Sequence, residues 1–439
     1  MFEVTIVGGG LAGCEAALFL ADRGVLVQLW DMKPEQLTPA SNDTTLGELV
    51  CSNSLRSADL TSAAGWLKEE MRLLKAKMIT AAQATAVEAG KALAVDRKAF
   101  ARNLENQINL HPNIKRYCIC VESIDQLPKN QLTILATGPM THPDLANSLA
   151  RLTGKHFYFY DAISPTVYQD SVDMNYAFWG NRYAETGDYL NCPLDKAQWD
   201  IFYKSLTDAP KAPLREFEKP VYFEGCLPLE VMAERGPQTL LFGPMKPVGF
   251  IDPQTNKRPH ALLQLRKEDS QGQLLNMVGC QTRLTYPAQK EVFRLIPALH
   301  KAEFARWGSI HRNTFIDAPN MLQPDLLLQR APHIMITGQL AGVEGYIESA
   351  ALGILAGINA YRLLKNLPTT TPPATTALGG LVTHLTNKKN SFQPSNINWG
   401  LLPPIPTNKK IPKSEKNKLL AQRAFADLQN WINEYGILI

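Results

Sequence analysis

The apolar positions of this chain change rhythm along its length. Residues 3–8 (EVTIVG) are an almost unbroken apolar run that predicts a buried strand. Residues 11–23 (LAGCEAALFLADR) read as a helix that stops near Gly24, and residues 25–30 (VLVQLW) as a second strand. Together they predict one βαβ unit. Helical patterns follow at 61–85 and at 96–109, the latter with Asp96 as its N-cap. Residues 131–138 (QLTILATG) predict another buried strand closed by glycine. From about 150 to 320 the pattern loses regularity and turns rich in Tyr, Phe, Pro and Trp, which predicts a mixed α/β insertion. Regular texture then returns, with a strand at 333–338 and a long Ala/Gly-rich helix at 345–365. Residues 367–377 (LPTTTPPATTA) predict an extended Pro/Thr linker, and 414–434 a final helix. The expected organisation is an α/β fold with a discontinuous first domain at 1–150 and 321–439, interrupted by an insertion at 151–320.

Composition adds exclusions. The chain has 439 residues, 45% of them hydrophobic and 20% charged, an ordinary globular balance. No run of about 18 apolar residues occurs, so no membrane span is expected. The first residues enter a strand with no basic leader, so a cytoplasmic protein is expected. Seven scattered cysteines with no CxxC pair predict reduced thiols and no structural metal site. A net charge of +4 is too small to prove a polyanionic partner.

The chemistry begins at Gly8-Gly9-Gly10-Leu11-Ala12-Gly13, a GxGxxG fingerprint between a strand and a helix. Gly8 permits the tight turn, Gly10 lets the backbone approach a pyrophosphate, and Gly13 lets helix and strand pack closely. The helix N-terminus offers free N–H groups to phosphate. Asp31, at the end of the second strand, can bond a ribose hydroxyl. Far downstream, Gly338, Gly342 and Gly345 shape a second strand-to-helix corner (TGQLAGVEGY). A second helix N-terminus converging on the cofactor favours the larger FAD over NAD. The predicted fold is therefore a Rossmann-type FAD-binding domain of the glutathione-reductase-like kind with an inserted mixed α/β domain.

VTIVGGGLAGCEAA, GELVCSNSLRS, GWLKEEMR, ALAVDR, YFEGCLPLEVMAERG, LFGPMKPVG, TGQLAGVEGYIESAALG and FQPSNINWGLLPP carry a resemblance. The chain resembles the folate- and FAD-dependent methylenetetrahydrofolate–tRNA (uracil-5-)-methyltransferases from its first residues to about 404. Longer relatives of the glucose-inhibited-division type share the N-terminal fingerprint. The family usually has Glu where this chain has Asp31, and Lys33 stands where a basic residue is expected. The resemblance implies that reduced flavin accepts the methylene group of methylenetetrahydrofolate. The carbon then passes to C5 of a T-loop uridine in tRNA, flavin hydride reduces it to methyl, and NADH or NADPH restores the flavin.

Uracil C5 is a poor nucleophile until a thiolate adds at C6, a task for an accessible cysteine with a lowered pKa. Cys226, in EGCLP, is the expected uracil nucleophile. Cys51, in VCSNS with Arg56 close in sequence, is placed by the resemblance beside the flavin; the two roles are interchangeable on sequence grounds. Cys14 is expected to be packing, Cys118 and Cys120 to alternate on a strand, and Cys192 and Cys280 to be structural. Glu224, Asp96 and His142 are nominees for a general base, with none preferred. RNA contact would fall to Lys388, Lys389, Lys409, Lys410 and Lys413, with Trp179, Arg182, Tyr183 and Trp399. No obligate protein partner is evident. Three alternatives stay open: the same chemistry on 23S ribosomal RNA, a small-molecule flavin oxidoreductase, and a flavoprotein that binds RNA without modifying it.

Overall fold

The structure, a computed structural model, describes residues 3–153, 156–184, 187–213, 221–388, 392–406 and 411–438. Strand β1 (Val4–Val7) is buried throughout. Helix α1 (Leu11–Ala21) is buried at all of its positions, because it packs along the helix Tyr346–Leu364 from the far end of the chain. This explains its apolar character on every side: a helix covered all round has no solvent face to make polar. Cys14 is part of that packing and donates its thiol to the Gly9 carbonyl at 3.3 Å.

Strand β2 (Val27–Asp31) pairs in parallel with β1. The full sheet runs Leu327–Leu328, Ala331–Ile336, Leu132–Leu135, β1, β2, Ile114–Cys118, parallel except at the Leu327–Leu328 edge. Strands from both ends of the chain thus build one Rossmann-type sheet, with the glycine turns at its carboxyl edge. The antiparallel pair His156–Ile163 and Ser309–Ile316 leads the chain out and back. Between them lies a second, antiparallel sheet ordered Phe178–Trp179, Tyr189–Leu194, Ala261–Lys267, Leu274–Met277, Thr166–Tyr168, Phe304–Arg306. It has its own core, with Trp199, Phe202, Leu263 and Phe293 buried together.

Two elements depart from the expected pattern. The helix expected over 61–85 is two helices, Ala63–Leu73 and Lys77–Ala84, broken where Lys75 takes a φ of 61°. Lys77–Ala84 then presents its first N–H groups to the buried carboxylate of Glu15 on α1. Hydropathy period alone does not register such a break. The Pro/Thr segment is extended but is no free linker. Thr370 N–H donates to Asn359 Oδ1 at 2.8 Å, the Trp431 indole donates to Thr370 Oγ1 at 2.8 Å, and Thr376 caps a further helix, Ala377–Thr386. Asp96 does cap its helix, Arg97–Leu110, by accepting from Ala99 N–H. Cys118 ends its strand and Cys120 lies beyond it. Among the described residues, no helix is long and apolar enough to cross a membrane.

Candidate active site

The fingerprint turn opens a groove of ≈ 1150 Å³ at the carboxyl edge of the parallel sheet. Gly8, Gly9, Gly10, Leu11, Ala12, Asp31 and Lys33 line it, with Gly138 after the third strand and Gly338 from the downstream corner. Gly8 has a φ of 104°, and a Cβ there would lie 2.4 Å from the Ala136 carbonyl oxygen. Gly13 does not line the groove; its Cβ would sit 1.8 Å from the Gly8 oxygen. At Gly10 a Cβ would meet no protein atom within 4 Å, and Gly10 lines the groove. A glycine with room around it, at the N-terminus of α1, fits a pyrophosphate brought against bare backbone. The residues present therefore fit a dinucleotide such as FAD. Asp31 accepts N–H bonds from Gly9 at 2.6 Å and Lys33 at 2.8 Å, fixing the turn, and retains lone pairs toward the groove. Lys33 is buried and pairs with Glu48 at 2.6 Å.

The downstream glycines divide. Gly338 lines the groove, and Gly345 caps the helix Tyr346–Leu364 over a second cavity. Gly342 lines neither: with a φ of 104° it lets the Phe392 ring approach to within 2.5 Å of where a Cβ would be. Its constraint is the turn and its packing, a role the expectation of cofactor contact missed.

The second cavity, ≈ 1080 Å³, holds both nominated thiols, Cys51 and Cys226. It shares Val50, Pro139, Met140, Gln339 and Tyr346 with the groove, so the two spaces meet along one wall. Each thiol is positioned by its own motif. The Tyr346 hydroxyl accepts from Cys51 N–H at 2.7 Å and from Ser52 N–H at 3.2 Å. Asn53, fully buried, donates to the Val95 and Lys267 carbonyls at 2.9 Å each. Arg266 donates to Asn53 Oδ1 at 3.1 Å and to Ser52 Oγ at 2.9 Å. Arg97 and Arg306 donate to the Cys51 carbonyl, and both pair with buried Glu268. The polar residues around Cys51 are thus the pins of the loop. Cys226 ends a short turn, Glu224–Cys226, where its N–H bonds the Phe223 carbonyl at 3.0 Å.

The electrostatics reverse one expectation. Both thiols are held protonated rather than activated. Burial, then Asp161, pushes Cys51 up to about 12, against the pull of Arg97 and Arg306. Burial, then Asp161, Cys51 and Glu344, holds Cys226 well above the ordinary thiol value. The neighbours of these cysteines in space include carboxylates that are remote in sequence. Asp161 is raised to about 6 by burial, with the Cys226 thiol, Ala162 N–H and Asn313 drawing it down. Glu344, also lining the cavity, is raised well above the ordinary carboxyl value by burial and by Asp161. Sequence reasoning missed both carboxylates, and also His311, which burial pushes down to about 4.

The three nominated bases lie elsewhere. Glu224 is exposed and paired with Arg235 at 2.8 Å, and Asp96 is a helix cap bonded also to Ser270. His142 lines the groove, where it, Cys120 and Glu122 bring potential ligand atoms within 4.8 Å of one another. Of the RNA nominees, Lys388 and Lys413 are exposed, and Lys389, Lys409 and Lys410 lie outside the described residues. Tyr183 is 77% exposed, whereas the Trp399 indole is committed to the Thr61 carbonyl at 2.9 Å. Arg182 donates to the Val248 carbonyl, and Trp179 lies under Lys267.

A parallel sheet with two glycine corners at its carboxyl edge and a large antiparallel insertion defines a Rossmann-type FAD-binding protein of the GidA class. The family model described as glucose inhibited division protein A matches residues 3–368. Aquifex aeolicus GidA, in its form II crystal, matches the structure with a TM-score of 0.71 at 16% identity, covering 100% of this chain and 74% of that one. At that identity the likeness speaks for the fold alone. Sequence similarity is much closer to a narrower group. Methylenetetrahydrofolate–tRNA-(uracil-5-)-methyltransferase TrmFO of Persephonella marina is 50% identical over 439 residues, covering 99% of this chain and 100% of that protein. The TrmFO of Geotalea uraniireducens is 51% identical over 434 residues, covering 98% and 99% respectively. The chain belongs to the TrmFO family of methylenetetrahydrofolate–tRNA-(uracil-5-)-methyltransferases.

Proposed function

We infer that this chain transfers the methylene carbon of methylenetetrahydrofolate to C5 of a T-loop uridine in tRNA and delivers it as a methyl group, with NADH or NADPH as reductant. The reading is supported most by one observation: two thiols share a cavity whose wall is also the wall of the dinucleotide groove. FAD bound in that groove would supply the reducing equivalents and the relay of the one-carbon unit. Gly8 through Ala12 would hold its pyrophosphate on the N-terminus of α1, and Asp31 its ribose.

The chain's own groups then have separable tasks. Cys226, which lines the cavity, adds to uracil C6 and makes C5 nucleophilic. Cys51, whose loop is held by Tyr346 of the shared wall, handles the carbon in transit. Exposed Tyr183 and the exposed lysines Lys388 and Lys413 are candidates to meet RNA, and the cytoplasm is the compartment proposed for the activity.

The test is incubation of purified protein with isotopically labelled methylenetetrahydrofolate, NAD(P)H and unmodified tRNA, followed by nucleoside mapping. Label in 5-methyluridine is expected. Label in ribosomal RNA but not tRNA would change the substrate. A methyl group drawn from S-adenosylmethionine, or NAD(P)H turnover at full rate with no RNA product, would overturn the reading.

A further inference from the structure

The cavity contains a chemical difficulty that the two thiols do not resolve by themselves. Cys226 must become a thiolate to attack, yet its surroundings hold the proton on sulfur. Among the described residues, the leading influences on Cys226 besides burial are Asp161, Cys51 and Glu344, and each disfavours a resting thiolate. The proton must therefore leave as the new bond forms, and it needs an acceptor already in place.

Asp161 has the geometry for that task. It lies on the strand His156–Ile163, lines the same cavity as Cys226, and is the leading charge acting on that thiol. Its Oδ1 is sealed from solvent and has no hydrogen-bond partner among the described residues. A buried carboxylate oxygen without a donor is costly, and a catalytic role is one of the reasons such an atom is retained. Glu344 faces it from the downstream glycine corner and is itself bonded by Gln339. Two carboxyls this close do not both ionise in a buried site. Glu344, the more strongly raised, keeps its proton, and Asp161 carries the charge at neutral pH. The remaining groups on the cavity wall are otherwise engaged. His311 Nε2 is bonded to Ser309 Oγ at 2.7 Å, Arg56 is paired with Glu348 at 2.7 Å, and the Tyr346 hydroxyl holds the Cys51 loop.

We propose that Asp161 is the proton acceptor for Cys226 in the addition of sulfur to uracil. As the Sγ–C6 bond forms, the S–H bond breaks and its proton passes to the Asp161 carboxylate. The C5=C6 electron pair moves onto C5 and O4 as the enolate. Elimination follows once C5 carries the one-carbon unit: the C5–H bond breaks with its proton passing to water, its electron pair re-forms the C5=C6 double bond, the C6–Sγ pair leaves on sulfur, and sulfur takes its proton back from Asp161. The assignment rests on the uracil-methylating reading above.

Asp161→Asn separates this role from a structural one because two readouts move in opposite directions. Methyl transfer by the yellow, FAD-loaded variant is expected to fall by about 100-fold or more, the usual worth of a positioned general base. Alkylation of Cys226 by iodoacetamide at pH 7.5, followed by peptide mass spectrometry, is expected to quicken. Removal of the neighbouring negative charge makes the free thiolate easier to form. Asp161→Glu is expected to recover part of the turnover. Methyl transfer within about threefold of the wild type, below the range for general-base loss, overturns the proposal. So does alkylation that slows together with turnover, the mark of a disturbed site. In the wild type, addition to 5-fluorouridine RNA is expected to lose rate on the acid side with a midpoint near about 6, where Asp161 takes up a proton. A rate flat from pH 5 to 7 overturns the proposal even if neither variant folds. Absence of methylated product from wild type and variants alike would sink the functional reading as well, whereas product from the wild type with an indifferent Asp161→Asn sinks only the assignment of Asp161.

Discussion

Gly8, Gly10 and Gly13 lack side chains for three different reasons, and mutation separates them. Gly8→Ala places an L residue at a φ of 104° with its Cβ 2.4 Å from a backbone oxygen, and Gly13→Ala drives a Cβ to 1.8 Å from another. Each is expected to cost roughly 3 kcal/mol or more, visible as a lower melting temperature of the apoprotein. Gly10→Ala meets no protein atom within 4 Å and its φ is an ordinary −74°. Its apoprotein is expected to melt within about 0.5 kcal/mol of the wild type, while FAD affinity falls by roughly tenfold or more. Equal losses of stability for all three would mean that the space above Gly10 is not a ligand site. These glycines were legible in the sequence because a strand before and a helix after give the motif its context. Asp161 and Glu344 were not, because two carboxylates 183 positions apart look like ordinary polar residues on a strand and a turn. Only the strand pair His156–Ile163 and Ser309–Ile316, and the return of the chain to the first sheet, bring them together.

At the scale of elements, the helix Tyr346–Leu364 does two jobs. Its body buries α1, and its first residue holds the Cys51 loop through one hydroxyl oxygen that accepts two N–H bonds. Tyr346→Phe keeps the packing and leaves both donors without that acceptor. A stability loss of about 1–3 kcal/mol is expected, together with impaired methyl transfer and unimpaired FAD binding, read by melting, turnover and flavin titration. A variant with normal turnover would show that Cys51 needs no tether. The long helix and its glycine corner were readable from periodicity. The break at Lys75 and the helix Ala377–Thr386 were not. A positive φ at a lysine has no composition signal, and the Pro/Thr run that reads as a linker is fixed by long-range bonds to Asn359 and Trp431.

At the scale of the molecule, the first sheet and the insertion meet through a buried ionic cluster. Arg97 follows the cap of a helix beside the first sheet, and Glu268 and Arg306 belong to the insertion. Burial opposes the Glu268 charge, but Arg97 and Arg306 outweigh it and hold its pKa below the ordinary value of 4.5. A lowered carboxyl pKa contributes stability above the unfolded-state value, and that contribution is lost as pH falls through the folded-state value. Glu268→Gln leaves two guanidinium groups facing a neutral amide. Urea unfolding at pH 7 is expected to show a loss of about 3–5 kcal/mol, and the gap from wild type is expected to narrow as pH falls below the ordinary carboxyl value of 4.5. A gap independent of pH would remove charge from the explanation. The Rossmann half of this architecture was legible because its strands are unbroken apolar runs. The insertion was legible only as a change of texture, since its strands are short and its sheet is assembled from segments far apart in sequence.

The account turns on one spatial claim: a uracil in the cavity is attacked by Cys226 with Cys51 beside it. The direct measurement is a trap with tRNA carrying 5-fluorouridine in the T-loop, given to the FAD-loaded protein with methylenetetrahydrofolate and NAD(P)H. Fluorine at C5 blocks the departure of a proton there, so the sulfur–C6 bond persists. Peptide mass spectrometry is predicted to find the nucleotide on Cys226 in the wild type and no adduct in Cys226→Ala. An adduct on Cys51, or on a cysteine outside the cavity such as Cys118, would contradict the account.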